Sequence, residues 1–311
     1  MDVKKALVIG GTGSLGKEIV TQLLSKYPNV EVTVLSRCEH KQQAMKKLFP
    51  KVRFVLGNVR DVDSLNPWFK GKDVVFHVAA LKCIDILEEN PIESIKTNII
   101  GTINVANCCI AHDVKYCMFS STDKAVSPIN TYGFCKAASE KLLLEYNRNL
   151  SFTHFSVYRW GNVLSSTGSA IPFFIENIKE NKPVDLTDPK MTRFWIQIPT
   201  AVKFILDTFH SKESLTEIMI PPMMKGAKVT DVISCLGELL NREVKINLIG
   251  LRRGEKMYEE LRSIHEKNSI SSENCPQYTR SELKELLRPY ALGNKPKPIT
   301  KLKIVELNAN N

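Results

Sequence analysis

Four residues within one short stretch have the types and spacing to move protons: Asp123, Lys124, Tyr132 and Lys136. Tyr132 and Lys136 are four apart, which puts them on one face of a helix. A neighbouring ammonium lowers the pKa of a phenol, so the pair has the makings of a base that deprotonates a hydroxyl. Thr122 can hydrogen-bond that same hydroxyl. Y-x-x-x-K also occurs by chance in ordinary amphipathic helices. Here it follows a strand-like run, VKYCMFS at 114–120, that ends in Ser120-Ser121-Thr122. Asp123 and Lys124 come directly after Thr122. A simple oxidoreductase needs no additional acid and base at such a point. An elimination needs one group to remove a carbon-bound proton and another to protonate the departing hydroxide, and Lys124 and Asp123 can serve as that pair. An isolated D-K dipeptide would read as a surface ion pair in a turn; its place beside the tyrosine favours the chemical reading.

These residues need a scaffold, and the first half of the chain supplies one. Apolar runs KALVIG (5–10), VEVTVLS (30–36), VRFVLG (52–57), DVVFHV (73–78), VKYCMFS (114–120) and FTHFSVY (152–158) alternate with amphipathic stretches such as 16–26. This rhythm predicts an α/β fold, a doubly wound parallel sheet with helices on both faces. The first run leads into Gly10-Gly11-Thr12-Gly13-Ser14-Leu15-Gly16. Glycines at 10, 13 and 16 permit a tight turn, close approach to a pyrophosphate and close packing of helix on strand. The helix N-terminus then offers N–H groups to the phosphates. A glycine triplet alone also fits an ordinary strand-to-helix turn; the flanking strand and helix favour a dinucleotide. The second strand ends in Ser36-Arg37, a hydroxyl and a guanidinium where an NAD site usually has an acid, which suits the 2′-phosphate of NADP. Arg37 as a solvated surface residue is the plainer alternative. Asn58, followed by Val59, lies where an adenine amine would be read. Ala79 and Ala80 keep the backbone slim beside the cofactor.

After residue 165 the pattern turns irregular and proline-rich, with Pro172, Pro183, Pro189, Pro199, Pro221 and Pro222. We expect residues 1–165 to form the nucleotide-binding domain, with a return segment near 195–220, and 166–311 to form mainly a smaller, interwoven substrate domain. The tail Asn308 to Asn311 is expected to fray.

The 311 residues carry a net charge of +10, with 43% hydrophobic and 24% charged residues. The lysines are dispersed and no aromatic-basic interleaving occurs, which argues against nucleic acid; a positive field equally attracts a nucleotide diphosphate. No apolar run approaches the roughly 20 residues of a membrane span. The eight cysteines form no C-x-x-C pair and the six histidines no ligand pattern, so neither a zinc site nor a disulfide framework is expected. These features suggest a cytoplasmic protein with reduced thiols and no metal.

S-T-D-K-A-x-x-P-I-N-x-Y-G-x-x-K (121–136) resembles the soluble UDP-N-acetylglucosamine 4,6-dehydratases that also invert C5, within the extended short-chain dehydrogenase/reductase family. HVAALK (77–82), KTNIIGTIN (96–104), RWGNV (159–163), MTRFWI (191–196) and RGEK (253–256) extend the likeness over residues 5 to 265. The resemblance implies NADP as a cofactor regenerated in each turnover, a UDP-sugar substrate and a homo-oligomer. It implies that Tyr132 deprotonates the C4 hydroxyl, Lys124 removes the C5 proton and Asp123 protonates the C6 hydroxyl. It also implies Lys82, Asn98, Asn162, Arg193 and Arg252 as substrate-side residues, the arginines facing the diphosphate. Relatives that retain C5 are typically longer and membrane-anchored, and an epimerising group has methionine in place of the tyrosine. The chain departs from the pattern at Asn58 (often aspartate), Trp160 (often tyrosine) and Arg253 (often proline). Two rivals stay open: a C4 epimerase, which needs no Asp-Lys pair, and a non-catalytic NADP-sensing protein, which commonly lacks the tyrosine or lysine.

Overall fold

Successive side chains along a strand point to opposite faces, and in the first half both sets are apolar. The computed structural model describes residues 2–149, 152–164, 166, 168–222, 224–263, 266 and 269–294; the tail at Asn308 to Asn311 lies outside them. Six strands, β1 (Lys5–Ile9), β2 (Glu31–Ser36), β3 (Arg53–Leu56), β4 (Val74–His77), β5 (Tyr116–Ser120) and β6 (His154–Tyr158), form one sheet in the order β3-β2-β1-β4-β5-β6. Every pairing in it is parallel. This is the expected doubly wound sheet, each strand lying within its apolar run with no end more than two residues inside it.

Each face has its own core. Ala6, Val8, Val34 and Phe76 pack beneath the helix Ser14–Lys26 and the later helix Ile198–Thr208. Leu7, Ile9, Val75 and Phe119 point the other way, against Val105 and Cys109 of the helix Gly101–Ala111 and Leu143 of the helix Thr131–Asn149. A third core, with Phe174, Trp195, Val232 and Leu287, belongs to the second half. There Asn162–Val163, Thr192–Ile196 and Lys225–Lys228 form a small mixed sheet. No helix among the described residues is long and apolar enough to cross a membrane, and all eight cysteines are free.

A buried charge cluster ties the carboxyl edge of the sheet to the second half. Arg159, just past β6, donates to both carboxylate oxygens of Glu140 on the Thr131–Asn149 helix, at 2.7 to 3.1 Å. Ser121, just past β5, donates to Glu140 at 2.5 Å. The same guanidinium reaches the Leu261 carbonyl and Glu266, each at 3.0 Å. The ends of two strands, a helix and a distant loop are thereby fixed in mutual register.

Gly133 sets a second constraint. A Cβ on it would lie 2.2 Å from the Lys124 carbonyl oxygen, so only glycine lets the helix carrying Tyr132 come this close to the Asp123–Ala125 turn. Gly133→Ala must push the two apart, and overpacking of this kind costs about 1–3 kcal/mol. A lowered urea midpoint with an unchanged slope is the expected result; wild-type stability would show that the turn yields freely.

Candidate active site

The functional residues gather where parallel sheets place ligands, at the carboxyl ends of the strands. β5 ends at Ser120, and the chain passes through extended Thr122 into a short 3₁₀ turn, Asp123–Ala125. The Asp123 N–H donates to the Trp160 carbonyl at 2.9 Å, which anchors the turn to the segment after β6. Thr122 Oγ1 donates to Asp123 Oδ1 at 2.9 Å and accepts from the Lys124 N–H at 3.3 Å. Asn130 accepts from the Gly133 N–H at 2.8 Å and so starts the Thr131–Asn149 helix, while its amide donates to the Gly254 carbonyl at 2.9 Å. Lys256 donates to the Val126 carbonyl at 2.7 Å. The RGEK segment therefore lies directly over the reactive turn.

Asp123 is fully buried and the Lys124 side chain is only 17% exposed. The Lys124 ammonium sits 3.0 Å from Asp123 Oδ1 and 3.3 Å from Oε1 of Glu259. The surface-ion-pair alternative is thereby excluded. Burial works against the Lys124 charge, but Asp123 and Glu259 outweigh it and hold the ammonium above the ordinary lysine value. Burial raises the Asp123 carboxyl; Lys124 pulls it down and Glu259 pushes it further up. Asp123 Oδ2 and Glu259 Oε2 are buried with no hydrogen-bond partner among the described residues. Glu259 escaped the sequence reading. It follows the RGEK motif, but no local spacing connects it with Lys124.

Tyr132 and Lys136 share the helix as expected, yet the electrostatics differ from expectation. Burial pushes the Tyr132 phenol up to about 12, and the cation opposing that rise is Lys124, helped by a hydrogen bond with Thr122. Lys136 instead donates to the Ser120 carbonyl at 2.7 Å and lies 4.2 Å from the Phe119 ring centre. Burial draws its ammonium down to about 7, against the pull of Glu140. The lysine that acts on the phenol in the polypeptide is therefore the one next to Asp123, because Lys136 is spent on the strand end.

The glycine loop after β1 fits a dinucleotide's diphosphate. Gly10 has φ +83°, and a Cβ there would meet the Ala79 nitrogen at 2.7 Å; one on Gly16 would meet the Gly11 Cα at 2.5 Å. Both glycines are required by backbone packing, and the one at position 10 lets the loop lie against Val78 and Ala79. Thr12 and Leu15 are half-buried in the loop and first turn. No side chain caps the Ser14–Lys26 helix at Gly13, which leaves its positive end to an anion. Past β2, Arg37 is exposed, whereas Ser36 is buried and its hydroxyl accepts from Gln42 at 3.0 Å. Asn58 turns its side-chain oxygen to the Arg60 N–H at 3.2 Å, so the atom expected to face adenine already closes a local turn. Val59 is buried against the Gly101 position.

The substrate-side set divides. Lys82 donates to Ser166 Oγ at 3.1 Å, Asn162 is half-buried on its short strand, and Arg252 is exposed near Asp85 and Glu255. Asn98 and Arg193 differ from expectation. The Asn98 amide clamps the Leu81 backbone, accepting from its N–H and donating to its carbonyl, both at 2.9 Å. Arg193 is buried, and its two terminal nitrogens donate to the carbonyls of Thr192, Lys256 and Met257 at 2.7 to 3.2 Å. It fastens the segment that bears Glu259 instead of presenting a free fork to phosphate. Arg253 points into solvent near Glu88.

The chain is 42% identical over 261 residues to a protein of Campylobacter jejuni subsp. jejuni serotype O:2 named UDP-N-acetylglucosamine 4,6-dehydratase (inverting), covering 82% of this chain and 76% of that one. It is 39% identical over 271 residues to a Rickettsia bellii protein named UDP-glucose 4-epimerase, covering 85% and 79%. Among solved structures it superposes on Pen from Bacillus thuringiensis with a TM-score of 0.86 at 32% identity, covering 95% of this chain and 99% of that one. The family model described as polysaccharide biosynthesis protein matches residues 6–282. With nearly its whole described length inside that match, the chain belongs to the polysaccharide biosynthesis protein family.

Proposed function

We propose that this protein is a nucleotide-sugar 4,6-dehydratase that acts on UDP-N-acetylglucosamine with NADP and inverts C5, supplying deoxy-amino sugars for glycan synthesis. The observation that carries this reading is the buried Asp123–Lys124 pair beside the Tyr132 phenol. Taking an ammonium and a carboxylate out of water costs several kcal/mol per ion, a cost with no purpose in a plain oxidoreductase. A bound oxidised dinucleotide supplies the hydride acceptor, later the hydride donor, and a positive ring that helps draw the phenol down. Tyr132 accepts the proton of the C4 hydroxyl, with Thr122 holding that oxygen. Once C4 is a ketone, the C5 proton is acidic enough for Lys124 to remove. Asp123, its carboxyl raised by burial, gives a proton to the C6 oxygen, which leaves as water. Lys82, Asn162 and Arg252 are the substrate-side contacts, and Arg37 faces the 2′-phosphate. A cytoplasmic homo-oligomer completes the proposal, in keeping with exposed Ile86, Ile92 and Phe134.

The Rickettsia relatives favour a second reading, a C4 epimerase. Incubation with UDP-N-acetylglucosamine separates the two by product mass: loss of one water supports the dehydratase, and an unchanged mass supports the epimerase. Proton NMR in heavy water would then show a 4-keto sugar with deuterium at C5 and its inverted configuration.

Two variants test the assigned roles. Lys124→Ala should abolish dehydration, a loss of about a hundredfold or more, while NADP affinity measured by calorimetry stays near wild type; lost NADP binding would contradict the assignment. Arg37→Asp should weaken NADP about tenfold or more and NAD little, since only NADP presents the phosphate. Equal weakening of both would count against that contact.

A further inference from the structure

Glu259 lies in the segment just before the strand Glu260–Arg262, and its Oε1 is 3.3 Å from the Lys124 ammonium that also pairs with Asp123. It is 3% exposed. Its N–H donates to Ser272 Oγ at 3.0 Å, and its carbonyl accepts from the Ser272 N–H at 2.8 Å. The backbone is thus fixed and the side chain is held inward. One carboxylate oxygen contacts the Lys124 ammonium and the other has no partner among the described residues, a costly arrangement for a merely structural acid.

We infer that Glu259 is the third member of the acid–base group: it anchors the Lys124 ammonium opposite Asp123 and, through its own negative charge, keeps on Asp123 the proton that Asp123 must give away. This rests on the dehydration reading. Moving one proton from Lys124 Nζ to Asp123 Oδ1, across their 3.0 Å contact, turns the resting ion pair into a free amine and a carboxylic acid without changing the net charge. The amine then takes the C5 proton, and the C5–H electron pair forms the C5–C6 bond's second component. The C6–O electron pair leaves with the oxygen, which takes the Asp123 proton and departs as water. Glu259 gains and loses nothing, so it is a positioning residue. The other charged or titratable groups around this cluster are Tyr132 from the Thr131–Asn149 helix, Arg193 from Thr192–Ile196 and Lys82 from the loop after β4.

Glu259→Gln keeps the shape and removes the charge. Without that charge the proton affinities of both Asp123 and Lys124 fall, so both limbs of the kcat–pH profile should move to lower pH, by about one unit. kcat should drop about tenfold or more with KM little changed. In a single turnover the near-ultraviolet absorbance of reduced nicotinamide should build up, because C4 oxidation does not use Glu259 whereas elimination does. Glu259→Asp keeps the charge, so its profile should stay near the wild-type position even if kcat falls; this variant also carries the test if the glutamine variant does not fold. An unshifted profile for Glu259→Gln, or an equal shift for Glu259→Asp, overturns the inference while leaving the dehydratase reading standing. A wild type that forms no dehydrated product from UDP-N-acetylglucosamine removes both.

Discussion

One buried ammonium between two carboxylates is the constraint around which the carboxyl edge of the sheet is arranged. With all three groups ionised, Asp123, Lys124 and Glu259 carry one excess negative charge in a region shielded from water. Desolvation of such a cluster is only partly repaid by Coulomb attraction. It persists because the surrounding backbone leaves it no alternative. Gly161 makes room for Phe194 and Asp123: a Cβ added there would lie 2.3 Å from Phe194 Cβ and 3.2 Å from Asp123 Oδ2. Gly133 admits the Tyr132 helix in the same way. The Arg159–Glu140 pair, reaching from β6 to the helix and on to Leu261, then prevents the second half from moving off the turn.

That arrangement explains why Arg193 and Asn98 are occupied with backbone. The loop bearing Glu259 has few regular hydrogen bonds of its own, and a loop can hold a charged side chain in place only if its carbonyls are satisfied elsewhere. Arg193 satisfies two of them, at Lys256 and Met257. Asn98 does the equivalent for Leu81, in the loop that presents Ala79, Ala80 and Lys82. Both residues matter to the site by shaping what lines it, which a motif match alone does not distinguish from direct contact.

The sheet was legible because both of its faces are apolar over six short runs, a signal confined to each run and its neighbours. The glycine loop and the Tyr132–Lys136 spacing were legible for the same reason: their meaning lies within one turn of strand or helix. What lay beyond reach was pairing across long stretches of chain. Glu259 on Lys124, Asn130 on Gly254 and Glu140 on Arg159 each depend on how segments pack together, and nothing in local spacing encodes those contacts. The misplaced expectation for Lys136 has the same origin. Helical periodicity put it on the tyrosine's face correctly, but the Ser120 carbonyl that claims its ammonium belongs to a strand.

Burial acts on the two halves of the site in opposite ways, and the result is a division of labour. Tyr132 and Lys136 are both pushed toward their neutral forms, the phenol up to about 12 and the ammonium down to about 7. On that side the positive charge of Lys136 is reduced near neutral pH, which lessens its repulsion of a positively charged ring. The Asp123–Lys124–Glu259 side keeps its charges because they compensate one another. In the proposed dehydration, the hydroxyl oxidation, which needs the electron-poor partner close by, would fall to the half pushed toward neutrality. The proposed elimination, which needs a strong base and a reluctant acid at adjacent carbons, would fall to the half where proton affinities are raised on both groups. The two halves meet where the Thr131–Asn149 helix packs on the turn after β5, and Lys124 belongs to both: its charge opposes the rise of the Tyr132 phenol while it pairs with Asp123 and Glu259.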